Sequence, residues 1–151
     1  VEVAGALKNV IALAAGIAGG LGYGDNARAA IITRGIAEMA RLGAAMGCAR
    51  ETFSGLTGLG DLVVTCTSMH SRNNRCGMLI GQGMAAADAV REVGMVVEGL
   101  NALPAALALG KKYAVELPII ESVEQIVHRG APPREVVGNL MRRERKPENW
   151  M

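Results

Sequence analysis

Apolar and small residues recur along this chain at helical rather than strand spacing, and the pattern predicts helices almost throughout. The first, about Val3 to Ala18, is apolar nearly all round, with glycines at 16, 19, 20, 22 and 24 to end it. Asp25 fits an N-cap for a long second helix. Its Ala29, Ile32, Ile36, Met39 and Ala40 share a stripe, and Gly47 is its stop. After a turn at Glu51 to Leu56, Gly58-Leu59-Gly60 leads into a short helix over Asp61 to Cys66. Thr67 to Asn74 is polar and reads as a loop running into a helix at Arg75 to Ile80. Further helices are predicted from Ala86 to Val93, from Glu98 to about Lys112, and from Pro118 to His128. Pro104 marks a kink or a later start in the Glu98 helix. Pro132-Pro133 opens a last short helix, and Arg142 to Met151 is a charged tail. The pairs Val63-Val64 and Val96-Val97 are too short to require a sheet. No internal repeat, low-complexity linker or domain boundary interrupts the pattern.

Composition turns this pattern into a compact all-α domain. At 151 residues the chain is one domain with room for a real core. Half of it is apolar, yet only four residues are Phe, Trp or Tyr. Alanine, glycine, leucine, valine and methionine must therefore do the packing, and small residues let helix backbones approach closely. Met39, Met46, Met78, Met84 and Met95 are expected as core fillers. A net charge of +2 with so few stacking aromatics does not argue for nucleic acid. No run reaches the roughly 18 to 20 apolar residues of a membrane span, so no membrane partner is expected. The apolar opening carries Glu2 and Lys8 and lacks a basic leader, which speaks against a signal peptide. Cys48, Cys66 and Cys76 are odd in number and lack C-x-x-C spacing. They point away from a disulfide framework or a metal site, and toward a reducing, cytoplasmic setting. The chain opens at Val1 in mid-pattern, which reads as a piece of something longer; a processed or renumbered complete protein is the alternative.

One motif is a decoy. Gly81-Gln82-Gly83-Met84-Ala85-Ala86 fits the dinucleotide fingerprint G-x-G-x-x-A, and Glu98 follows the apolar Met95-Val96-Val97. The true motif needs a strand before it and an acidic residue about 20 residues on, at the end of a second strand. Here a short apolar run precedes the glycines and Glu98 comes too soon.

The stronger constellation combines Lys8-Asn9, Gly58-Leu59-Gly60-Asp61-Leu62, Thr65-Cys66-Thr67 and Ser71-Arg72-Asn73. These groups suit a small phosphorylated substrate. Arg72 offers a planar fork of donors to a phosphate, and Ser71 and Asn73 add neutral donors. If a helix follows them, its free N–H groups face the same anion. Asp61 and Thr65, four apart, share a helix face. Lys8 lies in an otherwise apolar segment, and a lysine desolvated in that way can exchange protons near neutrality. Each group also has an ordinary role. Arg72 alone is a solvated surface arginine, Ser71 an N-cap, Asp61 a cap after Gly60, and Lys8 a side chain snorkelling to water. His70 and His128 read as exposed or structural. On spacing and chemistry alone, both readings stay open.

A resemblance weighs between them. Val1-Glu2-Val3-Ala4-Gly5-Ala6-Leu7-Lys8-Asn9-Val10-Ile11-Ala12 resembles the signature that opens the C-terminal domain of bacterial NAD(P)-dependent glycerol-3-phosphate dehydrogenases. Gly58 to Thr67 resembles that family's second block, Ser71-Arg72-Asn73 its phosphate-contacting triplet, and Val96-Val97-Glu98-Gly99 its late cofactor-contacting block. The blocks agree in order and spacing over most of the chain, most weakly after about Gly138. The resemblance implies an all-helical domain like the C-terminal domain of 6-phosphogluconate dehydrogenases. It implies Lys8 as the catalytic lysine, taking the proton from the C2 hydroxyl as hydride leaves. Substrate contacts are implied for Asp61, Ser71, Arg72 and Asn73, and for Asn9 and Thr65, which lie inside the same motifs. Cofactor contacts to NAD or NADP are implied for Arg72, Val96 and Glu98.

The implied reaction interconverts sn-glycerol 3-phosphate and dihydroxyacetone phosphate and feeds glycerophospholipid synthesis. Family members carry an N-terminal Rossmann domain that holds most of the dinucleotide, and this chain has none. It is therefore expected to be the substrate-binding half, inactive alone, with that domain as partner and a homodimer as a common state. Two other readings are carried: a related hydroxyacid or sugar-acid dehydrogenase, against which the Ser71-Arg72-Asn73 triplet speaks, and a non-enzymatic helical interaction module.

Overall fold

The computed structural model describes residues 2–47 and 71–143, and these form seven helices with no strand among them. In chain order they are α1 (Glu2–Gly20), α2 (Asp25–Ala45), α3 (Arg72–Gly81), α4 (Ala86–Val93), α5 (Glu98–Lys112), α6 (Pro118–Val127) and α7 (Pro133–Arg143). The short helix expected at Asp61 to Cys66 and most of the charged tail lie outside the described residues.

The apolar surround of α1 has a direct consequence: a helix hydrophobic on all faces is stable only when enclosed. Leu7, every residue from Val10 to Ala15, Ile17 and Ala18 are buried, and α1 packs against α2, α3, α5 and α6. It is the central post of the domain. It also runs two residues further than its glycines predicted, because those glycines are packing surfaces rather than stops. A Cβ added to Gly16 or Gly20 would lie 2.3 or 2.2 Å from the carbonyl oxygens of Asn74 or Met78 on α3. Reciprocally, a Cβ on Gly77 or Gly81 of α3 would lie 2.2 Å from the carbonyls of Leu13 or Ile17. Two G-x-x-x-G faces thus meet backbone against backbone, a distance at which Cα–H···O contacts form. This is where the apparent dinucleotide fingerprint goes. Gly81 belongs to this seam, and Gly83, at φ +112°, makes the left-handed turn out of α3.

Other boundaries differ from expectation in instructive ways. The N-cap of α2 is Gly24, and Asp25 is its first helical residue, where its negative charge complements the helix dipole. α3 begins at Arg72 rather than Arg75. Ser71 caps it by accepting from the N–H of Asn74, and Asn73 and Asn74 are buried in its first turn. Pro104 sits inside a single helix, α5. Among the expected core methionines, Met39 is buried and Met46 and Met84 pack against the core. Met95 is instead 60% exposed beside Val96 at 58%, in the link between α4 and α5. Cys76 is a buried free thiol whose pKa burial pushes up to about 11, which makes it inert.

A polar stripe on α2 ties down the far side. Glu38 is buried, and its Oε2 accepts from the N–H of Ile119 in the first turn of α6 at 2.8 Å. Arg34, also buried, donates to the carbonyl of Leu140 on α7 at 3.1 Å, and Arg41 donates to the carbonyl of Glu116 at 3.0 Å. Burial pushes the Glu38 carboxyl up from 4.5 to about 7, against the opposing pull of the Ile119 hydrogen bond and the Arg41 and Arg34 charges.

Candidate active site

Three of the sequence blocks converge on one turn of α1. Asn9 projects from α1, Asn73 from the first turn of α3, and Glu98 and Gly99 open α5. The backbone N–H of Gly99 donates to Asn73 Oδ1 at 2.7 Å. Asn73 Nδ2 donates to Asn9 Oδ1 at 3.2 Å. Asn9 Nδ2 donates to Glu98 Oε2 at 3.2 Å. The chain of bonds has one polarity. A backbone N–H can only donate, so the Asn73 atom facing it must be oxygen, and each later donor and acceptor follows in turn.

The two helix starts also bring their electrostatics together. α3 and α5 both point their N-termini toward Asn9, so two positive dipole ends share one locality, with exposed Arg72 beside them. An anion is favoured there. Glu98, the first residue of α5, is exposed and has a second carboxylate oxygen to offer as acceptor. Asn73 likewise has a second amide N–H beyond the one given to Asn9.

Of the residues singled out in the sequence, Asn9, Asn73 and Glu98 are thus in direct contact. Ser71 caps α3, its ordinary role, and sits one residue from Arg72. Lys8 is half-buried on α1 beside Asn9, rather than enclosed as its apolar surroundings implied. Val96 is exposed two residues before Glu98. Asp61 and Thr65 lie outside the described residues. Gly99 was given no role by sequence reasoning, yet it belongs to the site. A Cβ on it would lie 2.8 Å from both Asn73 Oδ1 and the carbonyl oxygen of Asn9. The available signal was a glycine, the poorest ordinary helix former, placed just inside a helix start. No group of three or more His, Cys, Asp or Glu residues suited to a metal occurs among the described residues.

Fold and site together define a helical domain that gathers two helix N-termini and a hydrogen-bonded polar cluster on a central apolar helix. Comparison with known proteins then gives its family. Residues 1–138 match the family described as NAD-dependent glycerol-3-phosphate dehydrogenase C-terminus, and the chain belongs to that family. It is 62% identical over 148 residues to a glycerol-3-phosphate dehydrogenase [NAD(P)+] of Lactobacillus delbrueckii subsp. bulgaricus, covering 98% of this chain and 44% of that protein. It is 59% identical over 143 residues to the Bacillus subtilis glycerol-3-phosphate dehydrogenase [NAD(P)+], covering 95% of this chain and 41% of that protein. The crystal structure of glycerol-3-phosphate dehydrogenase from Coxiella burnetii superposes with a TM-score of 0.90 at 44% identity, over 93% of this chain and 43% of that one. The chain therefore spans less than half the length of these relatives.

Proposed function

We propose that this chain is the substrate-binding and catalytic half of a glycerol-3-phosphate dehydrogenase [NAD(P)+]. The reaction is reversible: dihydroxyacetone phosphate, NAD(P)H and a proton give sn-glycerol 3-phosphate and NAD(P)+, supplying glycerophospholipid synthesis in the cytoplasm. The observation that carries this reading is the contact of Asn9, Asn73 and Glu98, drawn from three separate sequence blocks onto one turn of α1.

The roles follow from the chemistry of the side chains. Arg72, the Ser71 hydroxyl and the α3 N-terminus hold a phosphate of charge about −1.5 to −2. Asn73 adds an amide N–H, and Asp61 and Thr65 complete the substrate contacts. Anchoring the phosphate fixes the C2 carbon, which is the orientation contribution. Lys8 protonates the C2 oxygen as alkoxide charge develops, and accepts that proton in the reverse direction. The residues fit a nicotinamide dinucleotide at one end: exposed Val96 offers apolar surface and Glu98 an acceptor. When bound, that cofactor supplies or accepts the hydride. An N-terminal Rossmann domain holds the rest of it, and the assembled protein is a homodimer.

The test joins this chain to its native upstream sequence and follows NAD(P)H oxidation with dihydroxyacetone phosphate. Rapid oxidation that Lys8→Ala lowers by about 10²- to 10⁴-fold supports the reading. A folded, cofactor-binding protein that leaves dihydroxyacetone phosphate unreduced rejects it in favour of a relative with another substrate.

A further inference from the structure

The hydrogen-bonded chain through Asn9 links the two sides of the site in a fixed sense. On the substrate side, Asn73 has its oxygen committed to Gly99 and one N–H to Asn9. Its remaining group is therefore a donor, the polarity a phosphate or hydroxyl oxygen needs. On the dinucleotide side, Glu98 receives a donor from Asn9 at Oε2, so its other oxygen is an acceptor. Were the Asn9 amide reversed, its oxygen would face the Glu98 carboxylate and its N–H₂ would face the N–H₂ of Asn73. Both contacts would then be repulsive. The arrangement has one low-energy state, anchored by a backbone N–H that cannot change sign.

We propose that Asn9 is a positioning residue that couples the dinucleotide and substrate sides, holding the Glu98 acceptor and the Asn73 donor in a single mutually dependent arrangement. This rests on the functional reading above for what lies on each side. Because Asn9 acts through its neighbours, reversing the polarity of one bond predicts a specific pattern. In Asn9→Asp, a carboxylate oxygen meets Glu98 Oε2 and the two repel. In Glu98→Gln, the new amide oxygen turns to accept from Asn9, leaving an N–H₂ where the dinucleotide needs an acceptor. In the double variant, the introduced glutamine donates its N–H₂ to the introduced aspartate. The glutamine oxygen then faces outward again, and the net charge of the parent is restored.

The four proteins, each joined to the native upstream sequence, are compared by NADH dissociation constant from nucleotide fluorescence, by KM for dihydroxyacetone phosphate, and by Tm. Each single variant is expected to weaken NADH by about tenfold, and Asn9→Asp to raise that KM by a similar factor, within the coupling range of contacting residues. Glu98→Gln keeps the bond from Asn9 and should leave that KM near the parent's. The double variant should return both to within about threefold of the parent. Losses that simply multiply in the double variant overturn the proposal. So does a double variant that recovers Tm without recovering NADH affinity, since that is what a purely structural network gives. A parent that binds NADH but leaves dihydroxyacetone phosphate unreduced rejects the substrate reading alone, and the four NADH constants still decide the coupling. A folded parent that does not bind NADH overturns both.

Discussion

Two helix starts in this domain are capped by side chains from other helices, with opposite consequences. At α5, the N–H of the second residue, Gly99, is satisfied by the neutral amide of Asn73. At α6, the N–H of the second residue, Ile119, is satisfied by the carboxylate of Glu38. The geometry is the same, but the electrostatics are not. Once ionised, above about pH 7, the Glu38 carboxylate cancels the positive end of α6 and closes the position to other anions. A neutral amide satisfies the donor without adding charge, and the negative charge at the start of α5 is carried instead by Glu98, exposed and hydrogen-bonded to Asn9. The domain uses the first device where it is buried and ties α2 to α6. It uses the second where Arg72 and the start of α3 also face outward. A cap that completes a helix and a cap that prepares a site thus differ mainly in charge.

Substitutions at each end can break this contrast. The largest effect is expected for Glu38→Ala, which strands the Ile119 N–H and removes the countercharge of Arg34 and Arg41. A loss of about 3–5 kcal/mol in urea-unfolding free energy is expected. Glu38→Gln probes the charge itself. Because Glu38 holds its proton more tightly in the fold, its contribution is fully present below about pH 4.5 and is lost as pH rises toward about 7. Wild-type stability should fall across that window by up to about 1.4 kcal/mol per pH unit from this group, and the fall should be absent in the glutamine variant.

At the other end, Gly99→Ala places a methyl 2.8 Å from two oxygens and should cost about 1–3 kcal/mol. Helix propensity alone would give the opposite sign, about 1 kcal/mol of stabilisation, so a more stable variant would refute the close approach. The smallest stability change is expected for Asn73→Asp, which makes the α5 cap resemble the α6 cap. It retains an acceptor for Gly99 but sets an oxygen against Asn9 Oδ1 in place of the donated N–H, so unfolding free energy should fall by about 1–2 kcal/mol. Affinity for sn-glycerol 3-phosphate, measured calorimetrically on the chain joined to its upstream sequence, should nonetheless drop by about tenfold. Unchanged affinity would show that the neutral cap is not what keeps this end open to anions.

The long, strongly patterned helices were legible in the sequence for local reasons. α4 and α5 begin and end where the apolar spacing placed them, at Ala86–Val93 and Glu98–Lys112. Pro118 marked the start of α6 through its fixed φ and missing N–H. The start of α3 was not legible, because Arg72-Asn73-Asn74 is polar and reads as loop. What makes it helical is the Ser71 cap locally, and burial of both asparagines against α1 and α5 non-locally. Gly16 and Gly20 misled in the same way. A glycine in a sequence reads as a stop, and only a partner helix turns it into a contact surface.

By itself, the sequence determined the helical class, most helix spans, the apolar post at α1, and, through its ordered blocks, the family and the residues to examine. These depend on periodicity, caps and motif order, which are properties of neighbours along the chain. The tertiary structure alone decided which of those residues touch. Asn9 and Asn73 lie 64 positions apart and Asn9 and Glu98 lie 89 apart, so no local pattern could pair them. They meet because two glycine faces let α3 lie directly on α1, and because a glycine at position 99 lets α5 start against the same turn.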